Sequence, residues 1–215
     1  MSDLEEKNNY LVVSYLNLRR AIGIIGILLP FVLALGKIIL DGRGIESSIS
    51  SYYYTIMRDV FVGSLTSIAV FLMSYRGYQW SDEMAGKFAG LTAIGTALLP
   101  TSPEINPTVR EIVIGHFHIL FAASFFLTLA YFSLVLFRKT DSIKPPTQQK
   151  MKRNIVYTIC GIGIITSVVL IVLLRFLPVN STVLSLSPIF WLESLAIIFF
   201  GISWFVKGET ILKDN

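Results

Sequence analysis

Charge is what this sequence has least of. Asp, Glu, Lys and Arg make up 15% of its 215 residues, against about 25% in soluble domains. With 53% hydrophobic residues and a mean hydropathy of +0.67, the chain has too few polar groups for an ordinary soluble domain. Its repeated apolar runs are long enough to cross a bilayer. Cysteine is nearly absent. Cys160 is the single one, which excludes an intrachain disulfide, and its apolar surroundings mark it as a small buried hydrophobe. There is no His-Glu-x-x-His, phosphate loop, Gly-x-Ser-x-Gly elbow or dinucleotide fingerprint, so no common catalytic motif assigns an activity. The start, "MSDLEEKNNY", lacks the basic head and short apolar core of a secretory signal. The first span is therefore expected to act as an uncleaved insertion signal.

What is present is a succession of six apolar segments, at about 21–40, 57–74, 84–100, 112–137, 154–175 and 188–206. At about 1.5 Å per residue each reaches most or all of a hydrocarbon core about 30 Å thick. The fold class expected is all-α: a polytopic bundle of six transmembrane helices. It is preceded by a cytoplasmic segment, 1–20, and followed by a cytoplasmic tail, 207–215. Placing both termini in the cytoplasm puts 13 of the 18 basic residues inside and 5 outside, as the positive-inside rule requires. The loop "RKTDSIKPPTQQKMKR" alone holds six of them. The pI near 9.2 then reflects topology, and no nucleic-acid partner is expected. The setting expected is a bacterial inner membrane, with membrane lipids as partners.

Local chemistry sharpens the boundaries. Asn106–Pro107 and Ser187–Pro188 read as N-caps followed by first-turn prolines of the fourth and sixth spans. Pro30 should kink the first span or interrupt its hydrogen bonds. Tyr10, Leu11, Tyr15 and Leu18 recur at helical spacing, which fits either an interfacial helix or a plain extension of the first span. In the third span Ala85, Ala89, Ala93 and Ala97, with Gly86 and Gly90, form a small-residue face. Such a face suits a closely packed central helix or a homodimer seam. Tyr52 to Tyr54 fall where an outer aromatic belt belongs, and Tyr78, Trp80 and Trp204 at the inner one.

The functional clue is depth. Asp59 in the second span, His116 and His118 in the fourth, and Glu193 in the sixth all fall near the outer leaflet, and no comparable set marks the inner half. Ionisable groups within spans are costly and normally face a protein interior or a watery cavity. A shared outer cavity is therefore expected, with Asp59, His118 or His116, and Glu193 as candidate catalytic groups. Arg58 would be their counter-ion, with Tyr53, Tyr54, Thr66 and Glu111 as binding residues. The face running from Asp59 through Gly63 and Thr66 is small and polar, which suits the bundle interior. His116 and His118 point about 200° apart on a helix, so both cannot ligate one metal; His118 shares its face with Gly115 and Ala122 and is the better interior candidate. A divalent metal, if bound, would draw on Asp59, His118 and Glu193. Ser64 and Ser67 in the second span read as back-bonding serines rather than nucleophiles.

The segments "SYYYTIMRDVFVG", "YRGY", "FWLESLA" and "GISWFVKGE" resemble those of an uncharacterised group of bacterial multi-pass membrane proteins across nearly the whole chain, which implies a helical membrane bundle. A looser similarity is to the ceramidase and progestin-receptor superfamily of seven-pass membrane hydrolases, whose sites combine Ser, Asp and His. That similarity would match Asp59 and one histidine in kind. The chain differs in lacking a seventh span and a late helix with paired zinc-binding histidines. The function expected is binding of a lipid headgroup or small amphiphile in the outer cavity, with hydrolysis as one outcome. Ion or solute passage, and a non-catalytic scaffold or partner subunit, are the alternatives.

Overall fold

Each of the six predicted segments is a helix. The computed structural model describes residues 3–77, 79–140, 145–177, 180–209 and 212, with side chains from Tyr15 onward, Ser181 excepted. The helices are α1 (Asp3–Asp41), α2 (Arg58–Met73), α3 (Trp80–Leu98), α4 (Val109–Tyr131), α5 (Gln148–Phe176), the single turn α6 (Ser181–Leu184) and α7 (Pro188–Lys207). A 3-10 helix, Ser50–Tyr54, precedes α2, and α4 runs on into a π-helical turn, Phe132–Leu136. No strand occurs among the described residues. The helices overrun the apolar segments at several ends, because backbone hydrogen bonding continues into polar sequence where hydropathy has already fallen. The N-terminal stretch from Asp3 is part of α1 rather than a separate interfacial helix, and α1 continues through Pro30. The side chains of Tyr10 and Leu11, and all of Tyr78, lie outside the described residues.

Four helices are long and apolar enough to cross a membrane: Tyr15–Asp41, Val109–Leu136, Gln148–Phe176 and Thr182–Lys207. Their outward faces carry large apolar side chains such as Ile39, Leu120, Ile155 and Trp191, all more than half exposed. A belt of this kind is stable only against lipid. This is a membrane protein. The other two long helices are shorter or more polar. α2 has 16 residues, and α3 carries Asp82, Glu83 and Lys87.

The long helices pack in a closed ring ordered α1, α2, α3, α4, α5, α7 and back to α1. The small-residue face of α3 is used inside this ring. Ala89, Ala93 and Ala97 are fully buried. A Cβ on Gly86 would sit 2.6 Å from the Leu72 carbonyl oxygen of α2, and one on Gly90 2.7 Å from that of Ala69. α2 therefore occupies the face that a homodimer seam would need. A second close crossing joins α1 to α7, where a Cβ on Gly23 would meet the Gly201 carbonyl oxygen at 2.8 Å and one on Gly201 that of Gly23 at 2.6 Å.

Two caps differ from expectation. Asn106 takes a left-handed conformation, and α4 starts later, capped by Thr108 in a reciprocal capping box with Glu111. Pro188 does open α7, but Ser187 is left-handed and its side chain makes no cap bond. Trp204 is not an interface anchor. It is 1% exposed, at the centre of an aromatic cluster with Tyr75, Phe132, Phe137 and Phe200, ring centroids 5.2–6.0 Å away. Trp80 stays on the surface. Cys160 is a buried free thiol.

Candidate functional site

The segment between α1 and α2, residues 42–57, folds down into one end of the ring, and the site is built on it. An irregular backbone inside a membrane bundle needs protein partners for its polar groups. They are present. The Phe190 amide of α7 donates to the Ser47 carbonyl at 2.9 Å. Ser47 Oγ donates to Glu104 Oε1 at 2.5 Å, and Tyr54 Oη to the Thr101 carbonyl at 2.7 Å. Lys37 pairs with Glu46 and donates to the Gly44 carbonyl at 2.9 Å. Tyr52 is fully buried, its ring centroid 6.0 Å from that of Phe190. Burial pushes its phenol above the ordinary range, so Tyr52 stays neutral.

Two of the expected ionisable groups meet there. Glu193 Oε2 accepts the Ile49 amide at 2.6 Å. His118 is 4% exposed. Its Nδ1 lies 2.7 Å from the Leu99 carbonyl and its Nε2 2.9 Å from Ser50 Oγ. These partners assign the tautomer. A carbonyl only accepts, so Nδ1 carries the hydrogen, and in the neutral ring Nε2 is then the acceptor for the Ser50 hydroxyl. A small cavity beside Ser50, about 20 Å³ to the centre of a water-sized sphere, is lined by Ser50, Thr96 and Glu193 and by apolar groups including Leu29, Phe61 and Phe125. That is room for about one water. Further along the ring axis, Phe125, Leu129 and Phe200 are buried and close the interior with apolar packing.

The remaining expected residues are elsewhere. Asp59 is exposed and makes no ion pair among the described residues. Its face is not the interior one, because Phe61, Leu65, Ile68, Ala69 and Leu72 are the buried residues of α2, and Gly63 has open space where a Cβ would be. Asp59 sits in the first turn of α2, where the helix dipole favours an acid and water is within reach. Arg58 is not a counter-ion to Asp59 or Glu193. Its guanidinium lies 4.3 Å above the Tyr53 ring and donates to Tyr53 Oη at 2.7 Å. His116 is exposed on the opposite side of α4 from His118, and Thr66 is half-buried on α2. Glu111 is spent on the capping box, accepting from the Thr108 amide at 2.7 Å. Ser67 back-bonds to the Gly63 carbonyl at 2.8 Å. With Asp59 removed the expected metal set does not assemble, and no group of three His, Cys, Asp or Glu side chains that could hold a metal occurs among the described residues.

Ser50 is the site residue that sequence reasoning missed. The run "ESSISS" ahead of the tyrosines offers a compositional hint, but nothing in it says that the loop turns inward. Comparisons of the chain with protein-family models, curated proteins and solved structures find no match.

Proposed function

We propose that this is a six-span protein of a bacterial inner membrane, with both termini cytoplasmic, whose outer end binds the polar group of a small amphiphile and hydrolyses it through Ser50 and His118. The 13-to-5 division of basic residues supports the topology. The hydrogen-bonded sequence Leu99 carbonyl–His118–Ser50 carries the chemistry. It is a nucleophile joined to a base that is itself oriented by a third group. In the reaction Ser50 Oγ attacks the acyl carbon as its proton passes to His118 Nε2. The leaving alkoxide takes that proton, and water releases the acyl group by the same steps.

An acyl-directed fluorophosphonate on detergent-purified protein tests this. Label should appear on Ser50, vanish in Ser50→Ala, and form at least about 100-fold more slowly in His118→Ala, the usual worth of a general base. Folded wild type that leaves Ser50 unlabelled ends the catalytic reading. Topology is tested separately by an impermeant maleimide on whole cells, which should label Arg43→Cys and leave Thr140→Cys untouched.

One observation favours a second reading, a non-catalytic scaffold. Both His118 nitrogens, Ser50 Oγ and Glu193 Oε2 are already paired, Ser50 is 7% exposed, and the cavity admits about one water. On that reading the same network pins the 42–57 segment inside the ring, and the fluorophosphonate finds no target.

A further inference from the structure

The cavity beside Ser50 has walls that say which part of a substrate it can take. Leu29 of α1, Phe61 and Leu65 of α2, Ala122 and Phe125 of α4, and Ile197 of α7 line it. Ala122 stands four residues beyond His118 on α4, about one turn further into the bundle, and Phe125, 2% exposed, closes the inner side. Besides Ser50, two lining residues carry polar side chains, and both are committed. Thr96 gives its hydroxyl hydrogen to the Thr92 carbonyl at 2.9 Å, and Glu193 Oε2 accepts the Ile49 amide at 2.6 Å. A group that departs as an alkoxide needs solvation, which hydrocarbon walls do not supply. The leaving alcohol therefore faces the outer end, and the acyl substituent, which stays on Ser50 until water arrives, takes the cavity.

The size of the cavity then sets the length of that substituent. Its volume, about 20 Å³ to the centre of a water-sized sphere, exceeds by little the roughly 10–15 Å³ that one water needs. That is room for a methyl group and not for a chain. A longer acyl group has to displace walls that are already packed, since Phe61, Leu65 and Ile197 are 1%, 4% and 2% exposed. A close-packed interior accepts an extra methylene only by forcing side chains off their rotamers or shifting backbone. The limit is set from more than one helix, because Leu65 stands on α2 and Ile197 on α7.

We infer that the Ser50 site is selective for acetyl esters, the amphiphile being the alcohol, and that Leu65 and Ile197 set the limit on acyl length. This selectivity rests on the Ser50–His118 reading given above. Ser50 Oγ bonds to the acetyl carbon, the ester C–O bond breaks, and the proton passes from Oγ through His118 Nε2 to the departing oxygen. Water then releases acetate and restores the serine. The test offers p-nitrophenyl acetate and p-nitrophenyl butyrate to the detergent-purified full chain, and the rate counted is the part lost in Ser50→Ala. One methylene too many in an apolar pocket lowers kcat/KM about 10-fold or more. Acetate should therefore lead butyrate, two methylenes longer, by about 100-fold. Leu65→Ala enlarges the cavity and should cut that lead at least about 10-fold. Should Leu65→Ala fail to fold, Ile197→Val, which removes one methyl from the wall, is read against the same threshold. Butyrate hydrolysed as fast as acetate by the wild type, or a lead unchanged in the folded variant, overturns the inference and leaves the Ser50 chemistry standing. No Ser50-dependent hydrolysis of either ester overturns both.

Discussion

Replacing Glu193 by alanine tests whether the carboxyl holds the 42–57 segment in place by accepting hydrogen bonds. The substitution leaves the Ile49 amide, now bonded at 2.6 Å, without its acceptor. A buried donor left unpaired costs about 1–3 kcal/mol. The side-chain volume removed adjoins the small cavity, and a water entering there would recover part of the loss. The lower end, about 1 kcal/mol, is therefore the expected value. For a chain of this size each kcal/mol lowers Tm by about 2–4 °C, so the fall should be about 2–4 °C. Cys160 is 2% exposed and is the sole thiol, so a maleimide that fluoresces on reaction reports unfolding without any added probe site. Glu193→Gln keeps a carbonyl oxygen at the same place and should recover most of the loss. A Tm for Glu193→Ala within 1 °C of wild type, or an equal fall in Glu193→Gln, would refute the acceptor role.

Asp59→Asn and His116→Ala change exposed side chains and should shift stability by less than about 0.5 kcal/mol; a fall in Tm of more than about 2 °C in either would return those groups to a buried site. Gly201→Leu drives a side chain into the Gly23 backbone of α1. Overpacking at such a crossing costs about 1–3 kcal/mol or more, so folded yield by size-exclusion chromatography should drop sharply, while Gly63→Leu, with open space around it, should behave as wild type. Lys139→Met removes the ammonium 2.5 Å from Asp82, a carboxylate 1% exposed. The pair is buried on the Asp82 side only, Lys139 being 28% exposed, so the loss should lie between that of a surface and a buried pair, about 1–3 kcal/mol, and the double variant with Asp82→Leu should regain part of it in the same melting assay.

The helices were legible in the sequence because their length and hydropathy are properties of consecutive residues. The choice of His118 over His116 was legible too, since two residues apart on a helix means opposite sides. The setting of α2 was not. Almost every side of a membrane helix is apolar, so its pattern hardly favours one rotation. The small, polar line through Asp59, Gly63 and Thr66 looks outward, and the larger residues of Phe61, Leu65 and Ile68 fill the interior.

One further feature depended on a part of the chain that has no periodicity. Ser50 reaches His118 across 68 residues because the loop between α1 and α2 turns inward, and that path is fixed by partners on α7 and the 99–104 segment. The sequence by itself determined that six long helices form and roughly where each lies, because a residue's solubility in lipid is a local property. Only the tertiary structure decided which polar groups share a space, because that depends on each helix's rotation and on loop paths that hydrogen-bond partners far along the chain select.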